Sequence, residues 1–370
     1  MPSRHLCSIL IPHFNNPSLI QPCLQSLQGL SKNSPPYEVC IIDDGSTDES
    51  VSFLKREFPL FRVIQREENG GFIEAVETGI NSTEGEILVF LNNDTWVEPN
   101  WLLHLADPLI EGKVNGACGS ILMDWEGREA LFRGVSVNYL GYGFEERGTL
   151  PDPDSAMIPV LCPCGGAMAI SRDLYATSGG FDRDYGMIYE DLDLGWRLNL
   201  LGYDCFLIPS SRAGHRAHAS LGRKSFEKKA RNYLLNPLRT IFKNWDEEDH
   251  LEHIQMAVTL AQARERICLS GQQHPGGLKE RLAGLFSRPA SAPLVESLVV
   301  QEEAARTLAS ARKYLQSRRK RSTRELFDRF VPHPTRPWFY DEEQRVLLEK
   351  GGYWDLEKKL YLRGGMIGWK

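Results

Sequence analysis

The stretch EILVFLNNDTWVEP, residues 86–99, decides the fold. An apolar run, Ile87 to Leu91, meets two asparagines and one acid, Asp94, with Trp96, Glu98 and Pro99 just behind. Asn and Asp bond their own backbone and tolerate left-handed conformations, so a turn alone explains the stop. The other reading is that Asp94 holds something at the carboxyl end of a parallel sheet, where such sheets bind ligands. The rest of the chain chooses between the two.

Upstream, strand and helix patterns alternate. CSILIP (7–12) is an apolar run of strand length. After it, Asn16 and Pro17 open a helix whose Ile20, Leu24, Leu27 and Leu30 recur at helical spacing. YEVCIID (37–43) and FRVIQR (61–66) read as further strands. DESVSFLKREF (48–58) and GFIEAVETGI (71–80) read as helices, as does NWLLHLADPL (100–109) beyond Asp94. Such alternation predicts parallel pairing and a sheet covered on both faces. From about 115 to 170, glycines and prolines break the pattern, and loops that bind ligand are expected there. EDLDLGWRLNLLG (190–202) restores it as a helix with two acids at its start, followed by a strand, YDCFLIP (203–209). Beyond residue 220 the chain reads as helical, with linkers near 270–277 and 288–293.

The totals narrow the function class. The 370 residues suit two domains, here 1–225 and 226–370. The net charge of −6 argues against a dedicated nucleic-acid binder. No apolar run approaches the ~18 residues a membrane span needs, and MPSRHLCSILIP reads as a first strand rather than a signal peptide. A cytoplasmic protein is expected. Cys162 and Cys164 form CPC, without the spacing of a metal or redox pair.

Four acid- or histidine-bearing turns fall at what the alternation makes one sheet edge. Asp43 and Asp44 end the second strand, Asp94 the fourth, Glu190 and Asp191 start a helix, and His215 and His218 follow the last strand. Each has a structural explanation singly. Together they suit a nucleoside diphosphate with a divalent cation: one carboxylate to accept a base N–H, one to hold Mg²⁺ or Mn²⁺, one to act as base on a hydroxyl.

The segments SILIPHFNN, CIIDDGSTDES, ENGGFIEAVETGI, ILVFLNNDTWVEPNWL, the long run from CGGAMAISRD to YEDLDLGWRLNLLGYDCFLIPSS, and GHRAHASLGR occur in this order over residues 5 to 225. In this they resemble family 2 glycosyltransferases of the GT-A fold, above all the rhamnosyltransferase-like bacterial branch. The resemblance implies an α/β fold with a mostly parallel sheet flanked by helices and an α-helical C-terminal extension. It implies an inverting, metal-dependent hexosyl or deoxyhexosyl transfer from a nucleotide-sugar, UDP- or dTDP-linked, to a glycan or lipid-linked acceptor in cell-surface polysaccharide synthesis.

Residue by residue, it implies that Pro12, Phe14 and Asn15 line the nucleoside pocket and that Asp43 or Asp44 reads the base. Asn69, Gly71 and Phe72 open the helix beside the donor. Asn92, Asn93 and Asp94 match the family's D-x-D turn, with Asp94 on the Mn²⁺ or Mg²⁺ and His215 completing the metal shell. Gly165, Gly166 and Ala167 lie under the sugar. Glu190 and Asp191 supply the base, Asp191 favoured and kept ionised by the helix dipole. Asn92 departs from the usual acid, leaving one carboxylate for the metal, and Glu77 stands where Asn is usual. A sugar nucleotidyltransferase and an inactive GT-A scaffold are the alternatives; the first expects a glycine- and arginine-rich N-terminal loop that LIPHFNNPS does not match. For the C-terminal region, acceptor placement, self-association or peripheral contact with the inner membrane face remain. The eight basic residues from Arg312 to Arg329 read first as a solvated helix face; contact with anionic lipid or a partner is the lesser reading, and the peripheral membrane contact rests on it.

Overall fold

The computed structural model describes residues 6–216, 223–246, 250–271, 308–339 and 342–363. The chain divides into two compact units, 1–136 with 144–221, and 137–143 with 222–370.

The first unit is built on a mixed sheet. Strands β1 (Cys7–His13), β2 (Tyr37–Asp43), β3 (Arg62–Gln65) and β4 (Ile87–Leu91) pair in parallel in the order β3-β2-β1-β4. Helices α1 (Pro17–Gln28), α2 (Ser50–Glu57) and α3 (Phe72–Asn81) connect them. The apolar residues chosen by spacing face inward: Ile20, Leu24 and Leu27 of α1 are fully buried. After β4 come β5 (Thr95–Val97) and α4 (Trp101–Ile110).

Residues 115–170, expected as loops, contribute two of the central strands. β6 (Ala117–Met123) is buried along its whole length, and β11 (Ala167–Ser171) runs antiparallel between β4 and β6. A strand covered on both faces has no alternation to betray it, and Gly119 and Ser120 interrupt its apolar residues. Short strands β7 (Ala130–Phe132), β8 (Val135–Val137), β9 (Gly143–Glu145) and β10 (Ile158–Val160) lie between them in sequence. Helices α5 (Arg172–Thr177) and α6 (Glu190–Leu200) precede β12 (Cys205–His215). β12 runs parallel to β6 and does not stop at Pro209 as expected. A register shift between Ile208 and Arg212 absorbs the proline, and pairing resumes to Gly214.

This topology makes one edge. The carboxyl ends of β1, β2, β4, β6 and β12 meet there with the start of β11. His13 sits beside Asp43 in register, Leu91 beside Ala167, and His215 beside Thr95. His218 lies outside the described residues.

In the second unit, α7 (Arg223–Asn244) and α8 (His250–Gly271) are followed by α9 (Ala309–Arg318), α10 (Thr323–Phe330), α11 (Glu342–Lys350) and α12 (Tyr353–Arg363). The expected linker at 270–277 starts at the end of α8; the rest of it, and 288–293, lie outside the described residues. The basic stretch 312–329 is two helices. Ser322 breaks it with a capping box to Glu325. Nor is the stretch a uniformly solvated face. Arg312 is buried and donates to the carbonyls of Phe242 (3.1 Å) and Trp245 (2.6 Å), and Arg319 pairs with Asp246. Among the described residues, no helix is long and apolar enough to cross a membrane.

Candidate active site

At the β1 end, Phe14 is 45% exposed, and Asn15 and Asn16 both take left-handed backbone, φ 54° and 64°. Asn tolerates this region better than most residues. The turn is stitched to the one after β2. Asn15 N–H donates to Ser46 Oγ (2.8 Å), Thr47 N–H donates to Asn15 Oδ1 (2.9 Å), and Asn16 N–H donates to Asp48 Oδ2 (2.7 Å). Pro12 is half-buried beside them, in register with Ile42.

The two acids of DDGSTD have separate surroundings. Asp44 accepts from Arg66 (2.6 Å), Gly70 N–H (3.1 Å) and Gly71 N–H (2.7 Å), so its carboxylate fastens the loop that leads into α3. Asp43 is fully buried, and one oxygen accepts Ser46 N–H (3.1 Å). Its other oxygen, Oδ1, has no donor. A buried acceptor without a donor is costly unless a ligand supplies one. Of the residues that open α3, Asn69 is exposed, Gly71 is held by Asp44, and the Phe72 ring lies 5.9 Å from that of Phe181.

Behind β4, the three residues of NND point to three partners. Asn92 N–H donates to the Gly166 carbonyl (2.9 Å). Asn93 Nδ2 donates to His13 Nδ1 (3.0 Å), which places the His13 proton on Nε2, where it faces Ser50 Oγ (3.1 Å). Burial pushes the His13 pKa down to about 4, so the ring is neutral and fixed in that tautomer. Asp94 is buried, with Oδ1 3.1 Å from His215 Nε2. The two atoms are close but misaligned, and His215 Nε2 has no hydrogen-bond partner. Pairing of β5 with β12 brings them together. Among the described residues, no group of three His, Cys, Asp or Glu side chains could hold a metal. A carboxylate oxygen and an orphaned imidazole nitrogen side by side suit Mn²⁺ or Mg²⁺ only if substrate and water oxygens complete the shell.

The third cluster is the acid pair at the start of α6. Burial, and next the Asp191 charge, push the Glu190 pKa up to about 8, and its buried Oε2 has no partner. Burial also raises Asp191, but amides oppose the shift: Gly165 N–H donates to Oδ2 (2.8 Å) and Leu192 N–H to Oδ1 (2.7 Å). At Glu190, desolvation outweighs the helix dipole. With both oxygens of Asp191 hydrogen-bonded and one of Glu190 orphaned, the negative charge of the pair belongs on Asp191.

The glycines have a local cause. A Cβ on Gly165 would lie 3.3 Å from Asp191 Cβ, and one on Gly166 would lie 2.8 Å from Asn92 Nδ2. Their lack of side chain lets the 164–166 turn fit between the acid pair and the NND turn, with Ala167 buried at the start of β11.

The profile described as Glycosyl transferase family 2 matches residues 8–177. Residues 8–177 are a family 2 glycosyltransferase domain. The chain is 27% identical over 229 residues to O-antigen biosynthesis protein RfbC of Myxococcus xanthus, covering 58% of this chain and 17% of that protein. It is 23% identical over 261 residues to N-acetylgalactosaminyltransferase 6 of Drosophila melanogaster, covering 65% and 38% respectively. The chain thus spans well under half the length of these relatives. The structure of GalNAc-T7 with UDP, GalNAc and Mn²⁺ superposes with a TM-score of 0.53 at 17% identity, over 83% of this chain and 59% of that one. That likeness bears on the fold, which is GT-A, with C-terminal helices added.

The profile match stops short of Glu190, Asp191 and His215, and their surroundings hold what the sequence reading missed. Ile188 and Tyr189, just before the acids, are both left-handed, φ 69° and 76°. A β-branched residue there is a genuine outlier. Fully buried Asp193 pairs with Arg197 Nε (2.8 Å) and accepts from Tyr185 OH (3.1 Å). Arg197 also donates to the carbonyls of Ser178 and Gly180 (the latter at 2.6 Å). Tyr175 OH accepts from Phe181 N–H (2.9 Å) and donates to Glu77 Oε1 (2.7 Å), which accounts for Glu77. Asp193 and Arg197 stand four apart on one helix face, the single signal for this clamp in the sequence.

Proposed function

We propose that the chain is an inverting glycosyltransferase that moves a hexosyl or deoxyhexosyl group from a UDP- or dTDP-sugar to a hydroxyl of a glycan or lipid-linked acceptor. What supports this most is the gathering at one sheet edge of Asp43, the Asp94–His215 pair and the Glu190–Asp191 pair, each with a buried polar atom left unpartnered. Asp43 Oδ1 accepts the imide N–H of uracil or thymine, beside Phe14, Asn15 and Pro12. Asp44, spent on its loop, does not read the base. Asp94 and His215 would hold Mn²⁺ or Mg²⁺, which would supply positive charge to neutralise the leaving diphosphate.

Asp191 takes the proton of the acceptor hydroxyl. The hydroxyl oxygen bonds to the anomeric carbon as the carbon–oxygen bond to the diphosphate breaks with its electron pair, and configuration inverts. Glu190 keeps its own proton at neutral pH, so that a single negative charge sits in the pair. Gly165 N–H orients the Asp191 carboxylate, and the Arg197–Asp193 clamp fixes the loop that carries it.

The relation to an O-antigen biosynthesis protein supports a role in cell-surface polysaccharide, at the cytoplasmic membrane face. The charges that stay exposed there, such as Lys313, Arg318 and Arg324, would attract anionic lipid. The decisive experiment is a panel of UDP-, dTDP- and GDP-sugars titrated with Mn²⁺, Mg²⁺ or excess EDTA, scored for binding and slow donor hydrolysis. Metal-dependent binding of a UDP- or dTDP-sugar is expected. Tighter binding of GDP than of UDP and dTDP overturns the base assignment, and full turnover in EDTA overturns the metal.

A further inference from the structure

The second unit holds a cavity of about 530 Å³ that the reading above leaves unused. It falls within the ~300–1,000 Å³ range of small-molecule sites. Three aromatic side chains, Tyr139, Phe339 and Trp354, line it with one acid, Glu357, and two cations, Arg345 and Lys358.

Its walls are fastened. Asn138 Nδ2 donates to the Arg336 carbonyl (3.0 Å) and Tyr139 N–H to the Pro334 carbonyl (2.8 Å), tying the 334–339 segment to 137–143. Trp338 stacks on Tyr142 with ring centroids 4.4 Å apart. The buried Arg264 guanidinium lies 4.7 Å from the Tyr142 ring, 5.1 Å from Trp338 and 5.0 Å from Tyr353. It donates to the Trp338 carbonyl and Tyr353 OH, each at 3.1 Å. The cavity is therefore backed by a cation–aromatic cluster and not by loose loops.

The lining pairs two chemistries. Phe339 and Trp354 are half-buried rings that offer flat apolar faces. Glu357 is only 8% exposed, and its Oε1 accepts from Tyr139 OH (3.0 Å). A carboxylate buried among rings is expensive unless donors or cations surround it, and the Tyr139 hydroxyl and the Arg264 charge offset only part of that cost here. An alkyl chain brings no donors. A pyranose brings hydroxyl donors along its rim and an apolar C–H face for the rings.

We infer that this cavity is a saccharide site that takes one pyranose of the acceptor glycan, stacked on Trp354 and Phe339, with its hydroxyls donating to Glu357. Lys358 at the cavity wall adds a donor to ring or hydroxyl oxygens. That the sugar belongs to the acceptor rests on the proposed glycosyl transfer; the saccharide chemistry rests on the cavity.

The test uses the full chain with methyl hexopyranosides and a disaccharide as probes, octanol as the alkyl control, and UDP as a report on the other unit. Binding is read by saturation-transfer NMR and tryptophan fluorescence. Saccharide binding is expected, weakened about tenfold in Trp354→Ala and in Glu357→Gln, the size of a lost aromatic or polar contact. Trp354→Phe should recover most of it, and UDP affinity should be equal in all four proteins. Octanol binding without saccharide binding, or saccharide binding unchanged in both Trp354→Ala and Glu357→Gln, overturns the inference. If UDP binds and no saccharide does, this site fails while the catalytic reading stands. If saccharides bind and UDP does not, the reverse holds.

Discussion

Two pairs of left-handed residues flank the same sheet edge and are held in opposite ways. At Asn15–Asn16 the conformation suits the residue type, and side chains within the neighbouring turn absorb the exposed amides. At Ile188–Tyr189 it suits neither residue, and each such outlier costs of order 1–3 kcal/mol. The second pair persists because a buried ion pair and two tyrosines over-determine the loop around it. The base-reading side is thus a local device, and the acid-bearing side a tertiary one. The strain sits immediately before Glu190 and Asp191, where it aims the start of α6.

The largest expected effect breaks the tertiary side. Arg197→Met leaves the fully buried Asp193 charge unpaired and should lower unfolding free energy by about 3–5 kcal/mol in urea titrations. A loss below 1 kcal/mol would mean that the clamp does not hold the strained loop. Next comes Asp191→Asn, for which kcat should fall about 10²-fold or more while donor affinity by calorimetry stays level. Lost donor binding at unchanged kcat would move the base elsewhere.

On the local side, Asp43→Asn should weaken UDP binding about tenfold, the scale of a hydrogen bond to a charged group. Asp44→Asn should act chiefly on the stability of the 66–71 loop, seen as faster amide exchange at Gly70 and Gly71. Equal UDP losses from the two variants would erase the division between these acids.

A pH measurement sharpens the contrast further. Between the ordinary carboxyl value of 4.5 and about 8, folded Glu190 keeps a proton that the unfolded chain has released. Its contribution to stability is therefore complete below 4.5 and lost as pH rises through about 8. Glu190→Gln should flatten that decline, as read from unfolding midpoints across this window. The smallest effect is expected for Ile188→Gly. Release of backbone strain should offset the lost side chain to within about 1 kcal/mol. A cost of several kcal/mol would show that the left-handed turn stores little.

Much of this was legible without coordinates. The strand–turn–helix alternation fixed β1 to β4 in order, because each element has its own period and its own punctuation. The NND turn, the DDGSTD turn, the EDLDLGWR helix start and His215 were singled out because acids at strand and helix ends are chemically conspicuous. β6 and β11 were not legible, since strands buried on both faces show no alternation, and neither was the continuation of β12 past Pro209. The clamp showed only as the Asp193–Arg197 spacing, and His13, Arg66 and Tyr175 are ordinary residues until the fold brings their partners from elsewhere in the chain.

The sequence by itself determined the kind of sheet and which edge carries the acids, because hydrophobic period and turn chemistry act over a few residues. Only the tertiary structure decided how the acids divide their work. Whether a carboxylate is spent, orphaned or protonated depends on amides and cations far along the chain, and on how much water is excluded. Asp43 and Asp44 are adjacent in sequence, yet one has a free buried oxygen and the other is saturated by Arg66, Gly70 and Gly71. Glu190 and Asp191 differ in the same way, through the reach of Gly165 across the sheet edge.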